Sequence, residues 1–503
     1  MERFAFRVVW RIFAENTCML NYKVILFVLG QLLFLEAIML AACCGVGFIY
    51  HESTLIDFGI PMFICVSLGL LFHFLGGSKN QGMGRRDAFL IVSTTWLLFS
   101  IIGMLPFLLS GIVTRPSVAF FETMSGFTTT GATALNGIDA LPHSILFWRS
   151  LTHWVGGMGI VFFTIAIMPN ADAGEQKMFT AESTGLKIGK LHPRVRSTAR
   201  WIGGLYVFLT LACIVSLYLG GMDTFDAINH GFATMATGGF STHQDSIAFF
   251  HSARIENILM VFMVLASLNF TVLYLGLFKK HWKEMWKDDE LRVFLGIVLT
   301  IALIGMLVLY FRDHRTLADA ARLSFFHTIS IQSTTGFTTE NFMNWDPSTW
   351  VFVAFITIVG GCAGSTSGGI KCIRILTIYK VIVREFKRML HPHAVFPIRI
   401  SGTLISNGVV RNIFVFITLY IILTALGTIA MMAMGLTMLD SVSCCITCLS
   451  SVGPGYGYVV GPLDSWDVFP DAVLWIDSFL MLAGRLEIYS ILLPFMPGFW
   501  RDN

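Results

Sequence analysis

Ten stretches of this chain are each apolar enough to cross a bilayer as a helix, at roughly 24–50, 57–76, 87–110, 143–169, 199–221, 254–279, 291–312, 349–384, 410–436 and 470–497. A crossing takes about 20 apolar residues. Hydrocarbon offers no partner to a bare N–H or C=O, so each crossing must satisfy its own backbone, and helices do this. The expected fold is therefore an all-α integral membrane protein. Composition excludes the soluble alternative. Only 13% of the 503 residues are charged, 55% are hydrophobic and the mean hydropathy is +0.72, whereas a soluble domain carries about 25% charged residues.

The formal charge of +3 identifies no partner, and no basic run calls for nucleic acid; the lipid bilayer is the expected surroundings. Ten cysteines are scattered, many in apolar runs such as Cys43, Cys44, Cys65 and Cys213. Cys445 and Cys448 have CxxC spacing but no second pair, so small packing residues are expected rather than a redox or zinc site. At the N-terminus, Arg3, Arg7 and Arg11 alternate with Phe4, Phe6, Val8, Trp10 and Phe13, which predicts an interfacial amphipathic helix rather than a cleaved signal. Trp282 and Trp286 beside Lys280, Lys283 and Lys287 read as an interfacial belt, and His391 and His393 as a loop turn.

Lysine and arginine fall on alternate loops. One set holds Lys23; Lys79, Arg85 and Arg86; Lys177 to Arg200; Lys279 to Arg292; and Lys380 to Arg411. The other set carries acids, including Asp139, Asp223, Asp226, Asp245, Asp346, Asp440, Asp464 and Asp467. This bias predicts that both termini are cytoplasmic.

Four of the acidic loops share a pattern. A short, moderately apolar segment runs into SGFTTTGAT (125–133), ATMATGGFST (233–242), IQSTTGFTTENF (331–342) and LSSVGPGYG (449–457). Aligned on one glycine, the cores are Thr129-Thr130-Gly131, Ala236-Thr237-Gly238, Thr334-Thr335-Gly336 and Ser451-Val452-Gly453. Ordinary turns explain each loop but not their agreement. Irregular backbone at membrane depth is tolerated where protein or a water-filled cavity meets it. Four such loops around one axis would stack rings of carbonyl oxygens that replace the hydration shell of potassium. Each preceding half-helix would aim the negative end of its dipole at the cation. The unit is a span, a half-helix, a Gly/Thr loop and a second span, used four times after two leading spans.

These loops, with WRSLTHWVGGMGIVFF (148–163), GGCAGSTSGGIKCIRI (360–375), HPHAVFP (391–397) and MLAGRLEIYSILL (481–493), resemble the Trk/Ktr/HKT superfamily of potassium transporters, and within it the bacterial TrkH/TrkG branch. The resemblance covers nearly the whole chain. It implies two leading transmembrane helices followed by four M1–pore helix–M2 repeats around a single pore. The units would be 1–80, with the amphipathic segment and leading pair, then repeats at 81–176, 177–288, 289–400 and 401–503. It also implies a homodimer and a cytosolic ring of TrkA-like nucleotide-binding regulatory subunits, docked on the basic loops 177–200 and 371–411. Potassium would be the transported ion, with no bound cofactor and no enzymatic reaction, in the bacterial inner membrane. Gly131 stands where some plant relatives carry serine and admit sodium, so glycine implies a potassium preference. Two departures stand out: a second filter glycine survives only as Gly455, with Thr133, Phe240 and Thr338 elsewhere, and Ser451 stands where this branch carries asparagine.

The 349–384 stretch is too long for one straight crossing and is broken by Gly360, Gly361, Gly364, Ser365, Thr366, Ser367, Gly368 and Gly369. Each glycine costs a helix about 1 kcal/mol relative to alanine. The run reads as a packing kink or, by resemblance, as an intramembrane loop that gates the pore from below the filter. Arg485 lies inside the last span beside Glu487. A mid-membrane charge costs roughly 2.5–3.5 kcal/mol on insertion scales and faces a cavity or a partner; the resemblance places it in the pore, against the gate. Lys371 reads as an orientation anchor. The competing function is a secondary transporter coupled to protons or sodium, whose inverted repeats would put half the loops on the opposite face.

Overall fold

The computed structural model describes residues 20–76, 83–159 and 195–500. The N-terminal amphipathic segment, Lys79, the basic stretch 177–194 and the 160–169 end of the fourth expected span lie outside the described residues.

Two apolar helices lead, α1 (Tyr22–Ile49) and α2 (Leu55–Leu75), packed along their length. Glycines set their spacing: a methyl on Gly30 would lie 2.9 Å from the Gly69 carbonyl oxygen. Small residues let helix backbones approach in this way inside membranes. The chain then runs through four units of one design. The first is α3 (Arg85–Gly103) with α4 (Leu105–Leu109), then α5 (Pro116–Phe127) and α6 (His143–Met158). The second is α7 (Val195–Gly220), α8 (Thr224–Met235), α9 (Ala253–Ser267) and α10 (Phe270–Leu277), followed by the short α11 (Trp282–Trp286). The third is α12 (Asp289–Phe311), α13 (Leu317–Gln332), α14 (Ser348–Ile358) and α15 (Cys372–Leu390), with a two-residue ribbon of β1 (Arg399–Ile400) and β2 (Thr403–Leu404). The fourth is α16 (Asn407–Ala433), α17 (Met438–Ser450), α18 (Asp471–Arg485) and α19 (Tyr489–Leu492).

The helix that precedes the Gly/Thr loop of each unit, α5, α8, α13 or α17, is short and starts on a local signal. Asp223, Thr316 and Thr437 accept from the amides of Asp226, Asp319 and Asp440, so three begin with a side-chain cap and an acidic first turn. The remaining one begins with Pro116, which needs no N–H bond there.

Packing between units closes a ring. α6 of the first unit packs on α8 of the second, α9 on α13, α14 on α17, and α18 returns to α5. Large apolar side chains face outward, among them Ile38, Phe48, Phe63, Phe74, Leu219 and Val351, as lipid contact requires. The interior holds polar groups such as Glu122, Arg149, His153 and His230.

Among the described residues, six helices are long and apolar enough to span, and two bent pairs add up to two more crossings. Two expected spans need correction, and a third is broken where its glycine run predicts. The stretches 254–279 and 470–497 are not straight: α9 and α10 meet at 110°, and α18 turns 116° into the segment from Tyr489. At the first bend the amides of Cys362 and Thr366 take the carbonyls of Ser267 and Ala266, while Asn269 caps α10. The helix therefore stops because another segment uses its last acceptors. The 349–384 stretch is interrupted over 359–371, and its second half, α15, is amphipathic, with Lys380, Arg384, Lys387 and Arg388 among exposed Tyr379, Phe386 and Met389.

Candidate ion pore

The four short helices α5, α8, α13 and α17 all end at the same place and in the same way. After each, one residue takes a left-handed conformation: Thr129 (φ 55°), Thr237 (φ 53°), Thr334 (φ 62°) and Ser451 (φ 55°). The next amide returns to a carbonyl five residues back, as Thr130 to Ser125, Gly238 to Ala233, Thr335 to Ser330 and Val452 to Thr447. This is the Schellman cap, which ordinarily uses glycine at the left-handed position. Here none of the four is glycine, and each carries a cost of order 1–3 kcal/mol.

The cap fixes the register of the loops and corrects one of them. The equivalent triads are Thr129-Thr130-Gly131, Thr237-Gly238-Gly239, Thr334-Thr335-Gly336 and Ser451-Val452-Gly453. Ala236 is not part of the second triad, because it is the C-cap of α8, with right-handed backbone angles and its amide bonded to Phe232. The matching glycine is Gly239, with φ 83° like Gly336 (83°) and Gly131 (80°). Consequently Ser241, not Phe240, corresponds to Thr133 and Thr338.

These glycines meet around one axis. A methyl on Gly131 would lie 1.9 Å from the Gly238 carbonyl oxygen, and one on Gly239 would lie 2.0 Å from that of Thr335. One on Gly336 would strike Pro454 and Gly453, and one on Gly453 would strike the Gly131 carbonyl at 2.6 Å. Each loop thus abuts the next and the last returns to the first. No side chain fits anywhere in this ring. All four glycines line one cavity, with Thr133, Arg149, His243, Asp464 and Trp466 around its mouth. Below the ring sit the four hydroxyls of the left-handed residues. Two are engaged, Thr237 with Thr366 at 3.3 Å and Thr334 with the Gly368 amide at 2.7 Å. The Thr129 and Ser451 hydroxyls are buried with no hydrogen-bond partner among the described residues.

The engaging segment is the interrupted 359–371 stretch, which lies directly against the helix ends. Thr366 donates to the carbonyls of Met235 and Ala266 at 3.1 and 3.2 Å. A methyl on Gly368 would lie 2.3 Å from the Ser450 carbonyl oxygen, so this loop passes where only glycine fits. Gly364 and Gly369 turn it with φ 75° and 68°. Gly360 backs onto the Gly368 carbonyl, and Gly361 onto Ser367 and the Ser267 carbonyl. Ser365 bonds the Cys362 carbonyl and Ser367. Arg485 donates to the Thr366 carbonyl at 3.0 Å and also to the carbonyls of Gly156 and Gly157. It therefore ties this loop to the end of α6. The structure brings the loop residues, Arg485 and the triads together.

Several site residues escape sequence reading. Lys371 does not extend to a membrane surface: its ammonium folds back onto the Ser367 carbonyl. Glu290 on α12 accepts from the amides of Ala363 and Ile373, at 2.7 and 3.1 Å, and so anchors both ends of the loop. Glu122 and Arg149 form an ion pair at 2.8 Å with side chains 0% and 2% exposed. The residue nine before the ring glycine is Glu122, His230 or His327 in the first three units, and each binds the segment leaving the ring. Glu122 takes the Ala134 amide, His230 pairs with Ser241, and His327 with the Glu340 carbonyl. That periodic polar position is the signal that could have found them. His153 stacks on Phe240 at 4.0 Å, and a methyl on Gly238 would lie 2.3 Å from its Nδ1. Its ring explains why the second triad has glycine where the others have Thr130, Thr335 and Val452.

At the mouth, His243 bridges Asp139 (2.6 Å) and Asp226 (3.1 Å) and stacks on Phe249. Partial burial opposes protonation of this imidazole, but the two carboxylates together outweigh it and hold its pKa above the ordinary value.

Comparison with known proteins agrees along nearly the full length. The sequence pattern of TrkH, described as a cation transport protein, matches residues 56–501. The chain is 35% identical over 489 residues to the Trk system potassium uptake protein TrkH of Escherichia coli K12, covering 96% of this chain and 100% of that protein. It is 32% identical over 488 residues to TrkG of the same organism, covering 96% and 99%. The crystal structure of the potassium transporter TrkH from Vibrio parahaemolyticus superposes with a TM-score of 0.87 at 35% identity, covering 96% of this chain and 100% of that one. This chain is an integral membrane transport protein, and it belongs to the TrkH family of cation transport proteins.

Proposed function

We propose that this chain carries potassium into the cell across the inner membrane, through one pore whose selectivity filter is the ring of four loops. The observation that carries the reading is that ring. Four non-glycine residues are held in an unfavourable backbone conformation at equivalent positions, and the glycine two residues on admits no side chain in any of them. Strain repeated fourfold on one axis belongs to a functional site rather than to a connection. Four helices end their carbonyl-rich termini there, which favours a cation. Carbonyls at close quarters can then replace the hydration shell of potassium. The two unpartnered hydroxyls of Thr129 and Ser451 add oxygen ligands at the inner end.

In this reading the 360–369 loop closes the path from below, and Arg485 places a positive charge where a cation must pass. Both termini face the cytoplasm, two copies associate, and a cytosolic nucleotide-binding partner controls the loop. The names of the relatives, potassium uptake proteins of the Trk system, support potassium as the ion. The test is potassium-limited growth of a cell lacking its own uptake systems, together with potassium and sodium flux into vesicles holding the purified chain. Wild type is expected to restore growth and to prefer potassium, and Gly239→Ala to lose both. Growth and preference that survive Gly239→Ala with protein present would defeat the filter reading.

A further inference from the structure

We infer that Arg149 is a positioning residue for the filter, acting through hydrogen bonds to two of its four loops, at Thr133 and Ser241, and a third to Glu122 on α5; this inference rests on the filter reading above. Arg149 lies on α6 and spreads its guanidinium over three partners. Nε donates to Glu122 at 2.8 Å, Nη1 to the Ser241 carbonyl at 2.9 Å and Nη2 to the Thr133 hydroxyl at 3.2 Å. Thr133 and Ser241 are equivalent residues, each two beyond the ring glycine, in the first and second loops. One planar fork therefore fixes the spacing between the exits of adjacent loops.

The rest of the cluster fills the space behind that contact. Glu122 on α5 also accepts from the Ala134 amide at 2.9 Å and the Thr133 hydroxyl at 3.1 Å. The guanidinium lies 4.1 Å over the Phe240 ring, which also stacks on His153 four residues along α6. His153 in turn backs Gly238. Gly238 and Gly131 are the pair in contact across this junction of the ring, with the Gly238 carbonyl oxygen 1.9 Å from where a Cβ on Gly131 would stand. Arg149 thus meets the junction at the exits of its two loops and His153 meets it at Gly238. No ion itself touches the guanidinium in this assignment. Lysine could keep the charge beside Glu122, but an ammonium on a flexible stem cannot hold three partners in one plane. A carbonyl junction left slack would adapt to a smaller ion, so selectivity should fall before conduction does.

The test uses the purified full chain in vesicles, with potassium and sodium flux measured side by side and folding followed by elution profile and thermal unfolding. Arg149→Lys is expected to fold and to lose at least tenfold of its potassium-over-sodium preference while still passing potassium. The pair variant Glu122→Gln with Arg149→Gln, which leaves no unpaired charge, is expected to do the same. Arg322→Lys, which alters the ion pair with Glu256 at the start of α13, is the control and should keep the preference. Folded Arg149→Lys with wild-type preference overturns the inference. If Arg149→Lys does not fold, the pair variant decides by the same criterion, and failure of both to fold assigns the pair to folding and overturns it as well. A wild type with no potassium preference would instead defeat the filter reading itself, and this inference with it.

Discussion

Replacing Arg485 by methionine keeps an unbranched apolar stem, about two atoms shorter, and removes the charge and every hydrogen bond it donates. One of those bonds reaches the 359–371 loop, at the Thr366 carbonyl, and two more reach Gly156 and Gly157 at the end of α6; in the proposed function this is the closed state. A loop that moves aside loses the first and leaves the others in place. A hydrogen bond from a charged donor contributes about 1.5–3 kcal/mol, and 1.4 kcal/mol is a tenfold change in an equilibrium constant. Arg485→Met should therefore shift the closed-to-open ratio by roughly ten- to 150-fold towards open. On the proposed reading, loss of the fixed positive charge acts in the same direction. The assay is rubidium or potassium uptake into vesicles holding purified protein without its partner, normalised to folded protein. Flux well above wild type is expected. Flux at or below wild type from a well-folded variant would show that Arg485 does not hold the loop shut.

Three further outcomes follow from other contacts. Gly368→Ala forces a methyl to within 2.3 Å of the Ser450 carbonyl oxygen, so it should push the loop off the filter and raise flux in the same assay; unchanged flux would contradict the contact. Ala236→Gly, at the C-cap of α8 rather than in the ring, should keep potassium selectivity and wild-type folding, measured beside Gly239→Ala; equal losses from the two would restore the other register. His243 has a raised pKa, so its protonated bridge between Asp139 and Asp226 contributes stability fully below the unfolded imidazole value, and that contribution is lost as pH rises through the folded value. Unfolding temperature should fall across that window in wild type and less in His243→Asn; parallel pH profiles would count against the bridge.

How much of this was legible in the sequence depends on the range of the interaction that decides each feature. Membrane helices follow from local apolarity, and the short helices from local caps such as Asp223, Thr316 and Thr437 with an acid three residues on. The bends at Leu268 and Leu486 are not local. Ser267 and Ala266 are ordinary helix formers whose carbonyls are taken by a loop about 100 residues away. The sequence places the second loop one residue early because Gly238 and Gly239 are adjacent, and what separates their roles is the left-handed cap at Thr237 and the ring of His153, from another unit, behind Gly238. Glu122 and Arg149 lie on different helices, and no periodicity within either one pairs them. Lys371 reads as a surface anchor because its place at the end of an apolar run does not reveal that its side chain folds back.

The central claim is that the ring bounded by Gly131, Gly239, Gly336 and Gly453 is where the ion sits. Thallium substitutes for potassium and scatters X-rays anomalously, so crystals of this protein grown with thallium test it directly. Anomalous density on the axis inside that ring, lost when excess potassium is added and kept when sodium is added, is the expected result. Thallium bound elsewhere with the ring empty, or displaced equally by sodium, would contradict it.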